Sequence, residues 1–60
     1  MKITVTRSSH PDYSFFVKAE FKGRARSSHL NDSDSVDVVI RSYREAAHRN
    51  GVAVELDDQR

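Results

Sequence analysis

The sequence predicts a two-layer α+β domain, in which one helix packs on one face of an antiparallel three- to four-stranded sheet in the order β-β-β-α-β. Two observations predict this fold. Apolar and polar residues alternate over residues 2–7 and 13–21, as they do in half-buried strands. Apolar residues then recur at helical spacing from Val36 onward. With 60 residues, the chain is expected to form a single domain over residues 1–60.

The first two strands carry the clearest alternation. Ile3 and Val5 share one face of the first strand, and residues 8–12, which contain Ser, Pro and Asp, predict a loop. One face of the second strand is apolar, and we expect it to point toward the core: Tyr13, Phe15, Val17, Ala19 and Phe21. Phe16 falls on the opposite, wetter face, where it is an exposed aromatic side chain.

A hairpin turn is predicted at Lys22 and Gly23, because glycine readily adopts a positive φ. A third strand then covers roughly residues 24–30, returning beside the second strand. The length of the loop decides which side chains of this third strand face the helix, because side chains alternate between the two faces of a strand.

Two registers of this hairpin are open. A loop of two residues places Arg24, Arg26 and Ser28 on the apolar face. A loop of three residues places a different set there: Ala25, Ser27 and His29. We favour the second register, since burying unpaired arginines is costly. A bulge then turns Leu30 inward.

The helix is predicted from a single apolar stripe. Its members recur every three or four residues: Val36, Val39, Ile40, Tyr43 and Ala47. Short polar side chains precede the stripe, and we take Asp34 or Ser35 as the N-cap, because such side chains accept the free N–H groups of the first turn. Asn50 and Gly51 end the helix, since glycine is favoured at the left-handed position that follows a helix.

A last strand follows the helix, because Val52, Val54 and Leu56 lie at alternate positions. This strand completes the β-β-β-α-β order, and no linker, repeat or low-complexity segment divides the chain. Residues 57–60 are polar, and we expect them to form a frayed tail.

Composition excludes several classes of function. Ten basic and nine acidic residues leave a net charge of +1, which is far from that of a strongly basic nucleic-acid module. The chain has no cysteine, so disulfides and thiolate metal sites are excluded. No apolar run is long enough to span a bilayer, and the alternating N-terminus lacks the apolar stretch of a signal peptide. We therefore expect a cytoplasmic protein.

Nothing in the sequence indicates an enzyme. The three histidines have no metal-ligand spacing, no serine lies in a nucleophile elbow, and two glycines are too few for an oxyanion or phosphate loop. A chain this short also has little room for a substrate pocket. We expect no catalytic residue, no metal site and no cofactor.

Two groups of residues are candidates for contact with a partner. The first gathers around the predicted hairpin: Phe16, Lys18, Lys22, Arg24 and Arg26. The second lies on the exposed side of the helix: Arg41, Arg44 and His48. We expect a larger protein as the partner, or a homodimer formed through a sheet edge or through the Phe16 face. The alternative is a small nucleic-acid-binding protein that uses the basic hairpin around Lys18 to Arg26. No membrane partner is expected.

The order of these elements resembles that of HicB-like antitoxins and related small β-β-β-α-β domains. Ser35-Val36-Asp37, which opens the helix, is similar to the Thr-Leu-Glu found there. This resemblance implies a catalytically inert binding domain. The size class is also similar to that of phage and mobile-element inhibitors, including anti-CRISPR proteins. Together they favour a small regulatory module that acts by occluding a surface of a larger protein.

Overall fold

A single four-stranded sheet and one helix make up the structure, a computed structural model that describes residues 1–60. The elements follow the chain in this order: β1 (Lys2–Arg7), β2 (Phe15–Phe21), β3 (Arg24–Leu30), α1 (Ser33–Arg49) and β4 (Glu55–Asp58). The strands lie in the spatial order β3-β2-β1-β4, and α1 packs on one face of the sheet. The predicted two-layer α+β fold is confirmed. The helix is too short and too polar to cross a membrane.

The sheet is mixed rather than wholly antiparallel. β1 and β3 run antiparallel to β2, whereas β4 runs parallel to β1, with Ile3 beside Leu56. A parallel strand needs a long return connection, and α1 supplies it by crossing one face of the sheet. The antiparallel arrangement expected from the sequence therefore holds for β1, β2 and β3 only.

The last strand lies later in the chain than the alternation of valines predicted. It begins at Glu55, and its final residues, Asp57 and Asp58, pair with Thr4 and Val5 of β1. From sequence alone, two consecutive aspartates predict a solvated tail rather than a strand, because aspartate is disfavoured in strands. Pairing with β1 outweighs that preference here.

Arg60 ties the end of β4 to the helix. Its guanidinium donates to Asp58 Oδ2 at 2.7 Å, to Asp37 Oδ1 at 2.9 Å and to Ser33 Oγ at 2.7 Å. Hydrogen bonds from Arg60 hold the pKa of Asp58 below its ordinary value. The frayed tail expected over residues 57–60 is therefore corrected to a strand end anchored on the first turns of α1.

The N-cap of the helix lies two residues before the first of the two N-caps predicted. Asp32 is the N-cap, and its Oδ1 accepts a hydrogen bond from the Ser35 N–H at 2.7 Å, which lowers the pKa of Asp32. Asp34 and Ser35, the predicted caps, lie inside the first turn instead. The C-terminus is as predicted, since Asn50 is the C-cap and Gly51 has a φ of +66°.

A small core lies between the sheet and the helix. Six buried side chains form it: Ile3, Val5, Val17, Ala19, Val36 and Ile40. The helix buries the stripe that the sequence predicted, with Val39 and Tyr43 packed at its margin. Only seven of the 60 residues are buried, and they lie on the helix or on the side of the sheet that faces it. The other face of the sheet therefore remains largely in contact with solvent.

The β2–β3 hairpin has the shorter of the two loops. Lys22 and Gly23 have φ values of +50° and +75°, the combination of a type I′ turn, and Phe21 lies directly opposite Arg24. The three-residue register favoured from the sequence is therefore wrong. Residues 24–29 therefore lie on the opposite face from the one expected, whereas Leu30 points inward as expected.

The cost that argued against this register does not arise. β3 is an edge strand, and Arg24 and Arg26 are exposed although they lie on the helix side of the sheet. Their charges stay hydrated, so no unpaired charge is buried. The same register points Leu30 toward the core opposite Phe15, without the bulge that the other register required.

Replacing Gly23 by Ala tests the turn. No atom lies within 4 Å of the added Cβ, so the cost is the positive φ alone, and we expect a loss of about 1 to 2 kcal/mol in the free energy of unfolding. Lys22→Asn should instead raise stability, because asparagine is favoured in type I′ turns. Urea denaturation measures both. An unchanged midpoint for Gly23→Ala would contradict the turn.

The two lowered carboxyl pKa values predict acid sensitivity. Asp32 and Asp58 have folded pKa values below the ordinary 3.8, so their stabilisation is present above that pH. It is lost as the pH falls from 3.8 through the lower folded values. We expect Asp32→Asn, which keeps a capping oxygen, to flatten the fall in melting temperature across this range. Glu45→Gln, at an exposed helical site without a hydrogen bond, is the control, and an equal flattening there would refute the assignment.

Candidate functional site

One face of the sheet is not covered by any other element, because α1 packs on the opposite face. Strand pairing assigns the side chains of this face. It is mostly polar: Lys2, Thr4 and Thr6 from β1, Phe16, Lys18 and Glu20 from β2, Ala25, Ser27 and His29 from β3, and Glu55 and Asp57 from β4. Phe16 lies on this face, as the sequence predicted, but it is half-buried rather than fully exposed.

Four rings gather at one end of the uncovered face, and we call them the aromatic–imidazole cluster: His10, Tyr13, Phe16 and His29. Phe16 and His29 are cross-strand partners with ring centroids 5.0 Å apart. The loop before β2 adds His10 and Tyr13, whose centroids each lie 5.6 Å from that of His29. His29 therefore touches every other ring of the cluster.

Hydrogen bonds fix the loop that carries the cluster. Ser8 Oγ lies 2.8 Å from His29 Nδ1 and also accepts the backbone N–H of His10 at 3.0 Å. The Asp12 N–H donates to His10 Nδ1 at 3.1 Å, so the proton of that imidazole is on Nε2 in this geometry. Residues 8–12 are thus a loop, as predicted, and it is anchored on β3 through Ser8.

Tyr13 is not where the sequence placed it. The alternation of residues 13–21 puts Tyr13 on the core face, but β2 begins only at Phe15, and Tyr13 is 40% exposed. Its ring packs on His10 with a centroid distance of 5.1 Å. The strand pattern was extended too far toward the N-terminus, because the apparent period of two continues through Ser14 by chance.

A shallow cavity of about 320 Å³ lies beside the cluster. Its lining combines hydroxyls, rings and one cation: Thr6, Arg7, Ser9, Phe16 and His29. The Ser8–His29 pair is the one hydroxyl–imidazole contact in the vicinity, and no carboxylate hydrogen-bonds to the other ring nitrogen of His29, as one does in acyl-transfer triads. The arrangement suits recognition of a side chain by packing and hydrogen bonding.

The predicted basic hairpin is divided between the two faces of the sheet. Lys18 lies on the uncovered face and pairs with Glu20 at 3.4 Å, whereas Arg24 and Arg26 lie on the helix side. Lys22 is in the turn, with its Nζ 5.3 Å from the centroid of the Phe21 ring. Of the four cations, only Lys18 shares a face with Phe16, because the two-residue turn places the arginines on the other side.

The two arginines of β3 border a second cavity of about 310 Å³ between the sheet and the C-terminal half of α1. Most of its lining is apolar: Met1, Ala19, Phe21, Arg24, Ala25, Arg26, Tyr43 and Ala46. Neither arginine takes part in an ion pair, in contrast to Lys18 and Arg60. This groove places two unpaired positive charges beside an apolar surface.

The helical candidates form a separate surface. Arg41, Arg44 and His48 are exposed and spaced three and four residues apart, so they make one stripe along α1. Helical geometry puts this stripe on the flank opposite Tyr43 and Ala46, which line the groove. The basic residues of the helix and those of β3 therefore do not combine into one charged surface.

Sequence reasoning found Phe16 and missed its three neighbours in the cluster. The signal was present, because a two-residue turn at Lys22-Gly23 pairs Phe16 with His29. His10 and Tyr13 carried no periodic signal that could place them. No protein-family model, curated protein or solved structure matches the chain.

Two alanine substitutions compare the contribution to stability of a core residue with that of a residue on the uncovered face. Ile3 is fully buried, and Ile3→Ala should cost about 3 kcal/mol in the free energy of unfolding. Phe16→Ala removes only a partly exposed ring packed on His29, and we expect a cost of about 1 kcal/mol. Thermal and urea denaturation compare them. Equal losses would contradict the assignment of Phe16 to a surface rather than to the core.

Proposed function

We propose that this protein is a non-catalytic binding module that acts by occluding a surface of a larger protein, with the uncovered face of its sheet as the contact surface. The observation that carries the proposal is the aromatic–imidazole cluster on that face. Four rings packed together on the solvent side of a domain add little to its core. Aromatic groups are, however, the side chains that contribute most to protein interfaces.

The surroundings of the cluster support this reading. Protein interfaces have an apolar centre and a polar rim, and Phe16 is flanked on its face by Thr6, Lys18 and Ser27. Hydrogen bonds from Ser8 and the Asp12 backbone already fix the loop before a partner binds. A prearranged surface loses less conformational entropy on association than a flexible one does.

The distribution of charge favours a protein over a nucleic acid. A phosphate backbone is held by cations aligned along one surface, and binding of this kind weakens steeply with salt. Here Lys18 is paired with Glu20 on one face, and Arg24 and Arg26 lie on the other. The resemblance to HicB-like domains likewise implies a catalytically inert binding domain.

Affinity capture with matched variants tests the proposal. The purified chain is immobilised and exposed to a lysate of its native host, in parallel with Phe16→Ala and with Val38→Ala. Val38 is 57% exposed on the helix, far from the uncovered face, and serves as the control. We expect a protein retained by the wild type and by Val38→Ala to be lost, by at least about tenfold, with Phe16→Ala.

A second measurement confirms direct contact. The captured protein, once purified, should shift the NMR resonances of Phe16, Lys18 and His29 when it is added to the labelled chain. Equal retention by both variants would contradict the proposal. So would retardation of DNA or RNA that disappears at moderate salt in the absence of any protein partner.

A further inference from the structure

The strand β3 presents a free edge. It is seven residues long, pairs with β2 on one side only, and contains no proline or glycine. Phe21 and Arg24 flank the turn and form its hydrogen-bonded pair, so the backbone groups of alternate residues point away from β2. Those residues are Ala25, Ser27 and His29. Such an edge is a template for another extended segment.

The charged side chains of this edge strand are all positive. Arg24 and Arg26 lie two positions apart on the same face, so their Cα atoms are about 7 Å apart. Both are exposed and neither has an acidic partner. The 310 Å³ groove next to them, with Phe21, Tyr43 and Ala46 in its lining, offers an apolar surface of the size of a side chain.

We propose that the edge of β3 binds an extended acidic segment of a partner protein, which adds to the sheet as a fifth strand. The proposal rests on the protein-binding function above and names the chemistry of the partner. Carboxylates at alternate positions of the segment have the same spacing as Arg24 and Arg26, and each can accept two hydrogen bonds from a guanidinium. An apolar residue of the segment packs in the groove.

The charge of β3 favours an acidic segment of a partner over a second copy of this chain. β3 carries two arginines and no carboxylate, so antiparallel pairing with itself would bring like charges of two copies onto one face. An acidic strand neutralises them instead. Backbone pairing supplies affinity, and the alternate side chains supply selectivity, as in other cases of strand addition.

Peptide binding measured by fluorescence anisotropy tests the proposal. The probe is a labelled peptide of about eight residues that alternates glutamate and valine, and its counterpart alternates lysine and valine. We expect the glutamate peptide to bind at least about tenfold more tightly than the lysine peptide. The double variant Arg24→Glu, Arg26→Glu should reverse this preference. Circular dichroism checks that the variant, which alters exposed edge positions, remains folded.

The matched control is Arg41→Glu, Arg44→Glu, which changes the net charge by the same amount on the far flank of the helix. It should retain the affinity of the wild type for the glutamate peptide. Bound peptide should also slow amide hydrogen exchange at Ala25, Ser27 and His29, the outward-pointing residues.

Equal losses in the two double variants would overturn the proposal, because binding would then follow net charge. So would tight binding without slowed exchange along β3. A third result separates this inference from the proposed function. If a partner is captured through Phe16 and the glutamate peptide still does not bind, the edge site is refuted while the uncovered face keeps its role.

Discussion

The two-residue turn at Lys22-Gly23 is the constraint on which the surface of this protein depends. Because side chains alternate along a strand, adding a single residue to the turn would move every side chain of β3 to the other face of the sheet. The observed register sets His29 beside Phe16 and puts Arg24 on the helix side, at the edge. Both proposed surfaces, the uncovered face and the β3 edge, follow from that one local choice of backbone conformation.

The size of the chain explains why these surfaces remain open. One helix of 17 residues covers part of one face of a four-stranded sheet, and a core of six buried side chains is all that results. In larger α/β domains a second layer of helices would cover the other face. Here that face stays in solvent with a ring cluster on it. The Arg60 contacts compensate in part for the small core, because they hold the short β4 against the start of the helix.

Periodic patterns predicted the strands and the helix well, but they could not predict contacts between individual side chains. The alternation of Ile3 and Val5 and the helical stripe ending at Ala47 both report a buried face, which is a property of many residues together. The choice between the two possible hairpin registers, by contrast, depended on whether an arginine on the helix side of the sheet is buried. That depends on how far α1 extends over an edge strand, which sequence alone does not reveal. The aromatic–imidazole cluster was missed because the favoured register separated His29 from Phe16, and because the loop that brings His10 to His29 has no periodic pattern.

The most direct test of this account is an NMR measurement of the hairpin register in the free chain. Residues opposite each other in a pair that lacks backbone hydrogen bonds have their Cα atoms closest, at about 4.5 Å. The account predicts strong Hα–Hα nuclear Overhauser effects between Phe16 and His29 and between Lys18 and Ser27. Cross-peaks that instead join Lys18 to Ser28 would mean a three-residue loop. They would separate His29 from Phe16 and contradict both proposed surfaces.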